Sequence, residues 1–159
     1  MKSRFKYITI IFLCIILILH PSLYASNASK TSDQDMGKYI TNLTLIKNHM
    51  YTLSQTVVFS WDEDSSADDA LMRLNTSLNN TAKEISLELT DTAPNTPLYR
   101  NLLILLNATN YLKGALYELE VLSGQNNPAE KIRTLERYFN FLVYATNSIR
   151  FFDNLQSIS

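Results

Sequence analysis

The sequence predicts an all-α fold, an antiparallel up-down-up-down four-helix bundle placed after an N-terminal signal peptide. Three observations carry that expectation. Apolar residues recur in steps of three and four along four separate stretches, which is the period of a helix face and not of a strand. Polar punctuation separates those stretches: WDEDSSADD, TDTAPNTP and SGQNNPAE, the last two bearing proline. Glycine occurs only 3 times in 159 residues while Leu, Ile and aromatic residues are abundant, a composition that excludes a disordered chain.

The first element is an address. Lys2, Arg4 and Lys6 precede an apolar run from Tyr7 to Leu19, after which His20 and Pro21 lead into the small polar stretch SLYASNAS. Basic-then-apolar order marks a secretory signal, and the run falls short of the roughly 20 apolar residues a membrane span needs. Residues 1–25 are therefore expected to be cut away after Ala25, or as late as Ala28. The competing expectation is an uncleaved anchor with Tyr24 in the headgroup layer. Cys14 lies too deep in the apolar run to carry a lipoprotein's lipid. Residues 26–32 read as a flexible leader and 33–159 as the helical domain. Removal of three basic and no acidic residues takes the formal charge from -1 to -4 and leaves no cysteine. Such a domain relies on its core, without disulfides.

In the first helix Met36, Tyr39, Leu43, Ile46, Met50, Leu53 and Val57 form a heptad seam that ends near Trp61. Ser66 with Asp69 three residues on resembles a capping box, so a second helix begins there, with Leu71, Leu74, Leu78, Ala82, Ile85 and Leu89 on one stripe. Pro94 and Pro97 stop it. Thr96 as cap and Pro97 in the first helical position start a third helix, with Leu98, Leu102, Leu105, Thr109, Leu112, Leu116 and Leu119 on its seam and Gly124 as a left-handed cap. Asn127 and Pro128 repeat the start signal for a fourth helix, whose inner face is predicted as Ile132, Leu135, Phe139, Leu142, Thr146, Ile149 and Phe152. Short links between long amphipathic helices make sequential neighbours antiparallel.

The side-chain inventory predicts no catalytic residue, no metal and no cofactor. A di-iron bundle needs inward Glu residues and Glu-x-x-His pairs, whereas the expected mature chain holds one histidine, His49, with Ile46 three residues before it. His49 beside Met50 reads as a flanking histidine next to a packing methionine. There is no Cys-x-x-Cys-His, His-Glu-x-x-His, Gly-x-Ser-x-Gly or phosphate-binding glycine loop. Asp62, Glu63, Asp64, Asp68 and Asp69 are the densest acidic group, but Ala67 and Arg73 stand where an EF-hand places its glycine and distal glutamate. They read as a helix cap and a solvated loop. Asn27, Asn42, Asn75, Asn79 and Asn107 open Asn-x-Ser/Thr triplets, which a chain rich in Asn, Ser and Thr produces by chance. Scattered basic residues in an acidic domain exclude nucleic acid as a partner.

Contact surface is what remains. Leu103 and Ile104 stand away from the third helix's seam, and Asn107, Tyr111 and Gly114 are predicted to share an outer face with Ile104. Arg137, Tyr144 and Phe151 recur every seven residues on the fourth helix. With Trp61 at the first connection, Leu103, Ile104, Tyr111, Arg137, Tyr144 and Phe151 form the candidate interaction surface, because large rings and planar cations lose little entropy on burial. The function expected is that of a secreted or envelope-associated, non-catalytic, bacterial interaction module that binds a protein partner or itself. The alternative is a membrane-active or small-apolar-ligand-binding helical protein, with membrane contact confined to an uncleaved N-terminal segment or weak peripheral binding.

Overall fold

A computed structural model describes the backbone of residues 21–59 and 65–156 and the side chains of residues 36–58 and 67–152. Four helices account for nearly all of them: α1 (Pro21–Phe59), α2 (Ser65–Asp91), α3 (Pro97–Gly124) and α4 (Pro128–Gln156). No strand occurs among the described residues. Residues 1–20, with Cys14 and His20, and the connection holding Trp61, Asp62, Glu63 and Asp64 lie outside them.

The chain divides into two compact units, Met1–Gly37 and Lys38–Ser159. In the first, the described backbone is helical from Pro21 and Met36 is buried. Residues 26–32, expected as a leader, lie within α1, where neither proline nor glycine interrupts the helix between Ser22 and Met36.

The second unit holds the core. On α1, Tyr39, Leu43, Ile46, Met50 and Leu53 are buried as the heptad predicts. On α2, Leu71, Leu74, Leu78 and Ile85 are buried, with Thr81 joining them while Ala82 and Leu89 are half-buried. On α3, Leu102, Leu105, Thr109, Leu112, Leu116 and Leu119 sink completely or nearly so, and Ala108, Ala115, Glu118 and Leu122 widen the strip.

Helix α4 departs from expectation. Ile132 and Phe139, placed by periodicity on the inner face, are exposed, and Thr134, Tyr138 and Ala145 take the core alongside Leu142, Ile149 and Phe152. The reason lies in shape and polarity. Small Thr134 and Ala145 let the neighbouring helices approach, and Tyr138 fills the centre while its hydroxyl donates to the Met50 carbonyl 2.9 Å away. A buried phenol requires such a partner. Phe139 has no comparable place inside.

Local signals fix the helix ends. Thr96, with φ -79° and ψ 155°, accepts a hydrogen bond on Oγ1 from the Tyr99 amide at 3.1 Å, and Pro97 follows in the first turn. Asn127 Oδ1 accepts from Ala129 N at 2.9 Å, capping α4. Gly124 is not left-handed: no glycine among the described residues has positive φ, and α3 exits through extended Gln125, whose amide donates to the Leu122 carbonyl. The left-handed residue is Asn95 (φ 70°), just before the Thr96 cap, a conformation that asparagine tolerates better than most residues.

Cross-helix contacts set directions. Lys38 Nζ donates to Glu84 Oε2 at 2.7 Å and Tyr39 OH to Glu88 Oε2 at 2.9 Å, joining the described start of α1's bundle portion to the end of α2. Helix α3 packs against both α2 and α4. Along the α3–α4 pair Tyr111, Gly114 and Glu118 meet Tyr144, Phe141 and Arg137. Ascending α3 by three and then four residues is matched by descending α4 by the same steps, so this pair is antiparallel.

Candidate interaction surface

The α3–α4 junction carries Tyr111, Tyr144 and Arg137 of the surface singled out in the sequence. Its first rung is ionic. Glu118 is 6 % exposed, and its two carboxylate oxygens each accept from Arg137 Nε at 2.9 Å. Arg137 Nη2 also donates to Thr134 Oγ1 at 3.1 Å. An unpaired carboxylate in that position would cost several kcal/mol of desolvation. Arg137 is thus committed within the domain, clamping α4 to α3, while its own side chain remains half-exposed.

Seven residues along, Tyr111 and Tyr144 meet with ring centroids 5.4 Å apart and planes tilted by 41°. Tyr111 is half-buried and Tyr144 exposed, so the pair offers a ring edge to solvent. Toward the start of α3, Leu103 is exposed and Ile104 half-buried. Phe151 is exposed, resting edge-on against buried Phe152 at 5.6 Å. The contacts thus join Tyr111 to Tyr144 and hold Arg137 at Glu118, while Leu103 and Phe151 are exposed and Ile104 is half-buried.

One expectation about this junction fails. Gly114 and Tyr111 do not share a free outer face with Asn107. A Cβ built on Gly114 would stand 2.9 Å from Phe141 Cδ1 and Cε1, so the absence of a side chain there admits the Phe141 ring between the helices. Of that group only Asn107 is exposed.

The sequence reading missed the other flank. Ile132, Phe139 and Val143 are 68 %, 46 % and 53 % exposed, and their spacing of seven and four lays them along one stripe of α4. Phe139 packs edge-on against Tyr138, ring centroids 5.1 Å apart. Tyr51 on α1 and Tyr117 on α3 are exposed as well. Periodicity alone could not separate Ile132 and Phe139 from core; the presence of an equally periodic set through Thr134 and Tyr138 was the available signal.

The fold clearly changes the ionisation of Tyr138. Burial pushes its phenol up from 10.0 to about 12; the neighbouring Ser54 hydroxyl opposes that rise and Tyr51 adds to it. It is a buried phenol, held inside by the Met50 carbonyl.

Among the described residues no three His, Cys, Asp or Glu side chains gather as a metal site. His49 is exposed while Met50 is fully buried. No helix among the described residues is long and apolar enough to cross a membrane. Comparison with family models, curated proteins and solved structures finds no match.

Proposed function

We propose that this chain is a non-catalytic helical interaction module, of bacterial origin, exported to the cell envelope or beyond. In this reading an up-down-up-down bundle presents α4 to a protein partner or to a second copy. One observation carries it: α4 keeps Ile132, Phe139 and Val143 exposed on one flank and Tyr144 and Phe151 on the other. Monomeric proteins seldom leave contiguous apolar surface uncovered, and aromatic side chains in such patches are the usual anchors of an interface. The basic-then-apolar N-terminus supports export. The matched steps of α3 and α4, together with short connections, support the alternating topology.

The test is association measured by sedimentation velocity and by pull-down, with two paired variants. Ile132→Asn with Val143→Asn breaks one flank, and Tyr144→Ser with Phe151→Ser the other. Loss of self-association or of partner capture at unchanged helicity supports the reading and tells which flank is used. Unchanged binding in both pairs removes α4 as the contact helix, and collapse of helicity assigns those side chains to stability instead. The alternative, a protein that binds a small apolar ligand, is favoured by a groove between α1 and α2.

A further inference from the structure

Among the described residues the groove is lined by α1 and α2 alone. Its volume is about 370 Å³, and it is lined by Ile46, His49 and Leu53 of α1 and by Ala70, Arg73, Leu74 and Ser77 of α2. The floor is apolar: Ile46, Leu53 and Leu74 are core residues whose edges reach the groove. Its rim is polar, with His49, Arg73 and Ser77 exposed. Small side chains at positions 70 and 77, one turn to either side of Leu74, leave the space open. The volume lies at the low end of the roughly 300–1,000 Å³ typical of small-molecule sites, which suits one alkyl chain and not a two-chain lipid.

Charge selects the head group. No carboxylate among the described residues lines the groove, whereas a guanidinium and an imidazole do. Arg73 forms no ion pair among the described residues, although Asp69 sits one turn before it on α2. A guanidinium offers a planar fork of donors that matches a carboxylate, and an apolar floor beside it strengthens that match by excluding water. Arg73 and Ser77 also border a second, shallower hollow of about 360 Å³ lined by Met72, Thr76 and Asn80, leaving the cation at the edge of the apolar space.

We infer that the α1–α2 groove binds a single-chain amphiphile with an anionic head, of the fatty-acid class. The alkyl chain lies over Ile46, Leu53 and Leu74, and the carboxylate pairs with Arg73 at the rim. His49 and Ser77 complete the polar edge. This site is independent of the α4 surface, so either can fail without the other.

The experiment is displacement of an anthroyloxy-labelled fatty acid from the full chain by laurate, lauryl alcohol and dodecylamine, each below its micelle concentration. Laurate is expected to compete best. Arg73→Glu should weaken laurate by about tenfold or more, the scale of one charge-assisted hydrogen bond, and leave lauryl alcohol unchanged. Ser77→Phe, at an exposed helix position, should fill the groove and weaken both. Asp69→Asn removes the competing carboxylate and should tighten laurate. Circular dichroism checks that each variant keeps its helicity. No laurate binding, equal displacement by all three amphiphiles, or laurate binding indifferent to both Arg73→Glu and Ser77→Phe would each overturn the inference.

Discussion

Helices α3 and α4 are 28 and 29 residues long, but α3 carries nine leucines and three aromatic rings where α4 carries three and six, and they meet solvent differently. On α3 the buried strip is broad enough to take in a glutamate, Glu118, together with Ala108, Ala115 and a run of leucines. On α4 it is narrower, and Ile132, Phe139, Val143, Tyr144 and Phe151 remain outside it on both sides. Composition accompanies that difference: the buried strip of α3 is mostly leucine, whereas three of the six aromatic rings of α4, Phe139, Tyr144 and Phe151, stand exposed. Helix α3 packs against α2 and α4, while α4 packs against α3 and reaches the Met50 carbonyl of α1 through Tyr138. A helix with apolar residues beyond its covered face has either a buried place in its own domain or a partner elsewhere.

The sharpest way to break that contrast is truncation at one site on each helix. Leu112→Ala removes a fully buried α3 side chain and should cost about 2–5 kcal/mol, the usual range for leucine truncation in a packed core. Ile132→Ala on α4 should stay within about 0.5 kcal/mol, as expected for an exposed position. Urea unfolding of the two variants measures both. A large loss at Ile132 would mean that its flank is covered in the folded protein, and the distinction between the helices would disappear.

How much of this was legible in the sequence differs by helix. The α1 and α3 seams followed from spacing because each has one dominant periodic set, and the Thr96 and Asn127 caps followed from their proline neighbours. Helix α4 carries two overlapping periodic sets that share Leu142, Ile149 and Phe152, and hydrophobicity prefers the wrong one, through Ile132 and Phe139. What decides between them is the Met50 carbonyl, which receives the Tyr138 hydroxyl from 88 positions away in sequence. The candidate surface was legible in its residues but not in its arrangement. Heptad spacing grouped Arg137, Tyr144 and Phe151; it could not show that Glu118 engages the first and Tyr111 the second. Gly124 and Gly114 misled in opposite ways, one lacking the left-handed backbone expected of it and the other making the close approach that was not expected.

Tyr138 supplies a pH-dependent form of the comparison, because it is the largest fully buried side chain among the described residues of α4. Its pKa is raised from 10.0 to about 12 by burial, so the folded state holds the phenolic proton more tightly than the unfolded chain does. The contribution is therefore fully present below pH 10 and is lost as pH climbs through about 12. Tyr138→Phe should cost about 0.5–1.5 kcal/mol at neutral pH, the net worth of a neutral hydrogen bond. The gap between variant and parent should then narrow between pH 10 and 12, a window read by denaturation at fixed pH. A constant gap would mean that the Tyr138 hydroxyl reaches water.

A further comparison tests how closely the two helices are held. Gly114→Ala should gain about 1 kcal/mol of helix propensity on its own. Its new methyl, however, would stand 2.9 Å from two carbons of the Phe141 ring and 3.0 Å from a third, so the ring or the helix must move. Overpacking of this kind costs about 1–3 kcal/mol, leaving a net loss of about 1 kcal/mol. Phe141→Leu in the same chain should relieve the contact, so that Gly114→Ala becomes neutral or stabilising in that background. Such a reversal is a coupling that only directly packed positions show. Because the Glu118–Arg137 and Tyr111–Tyr144 rungs sit one turn to either side, a helix that moved instead of the ring would loosen both. Weaker near-ultraviolet tyrosine dichroism in Gly114→Ala, restored by Phe141→Leu, would identify that movement; an unchanged signal with the same stability loss would place the strain in the Phe141 rotamer alone.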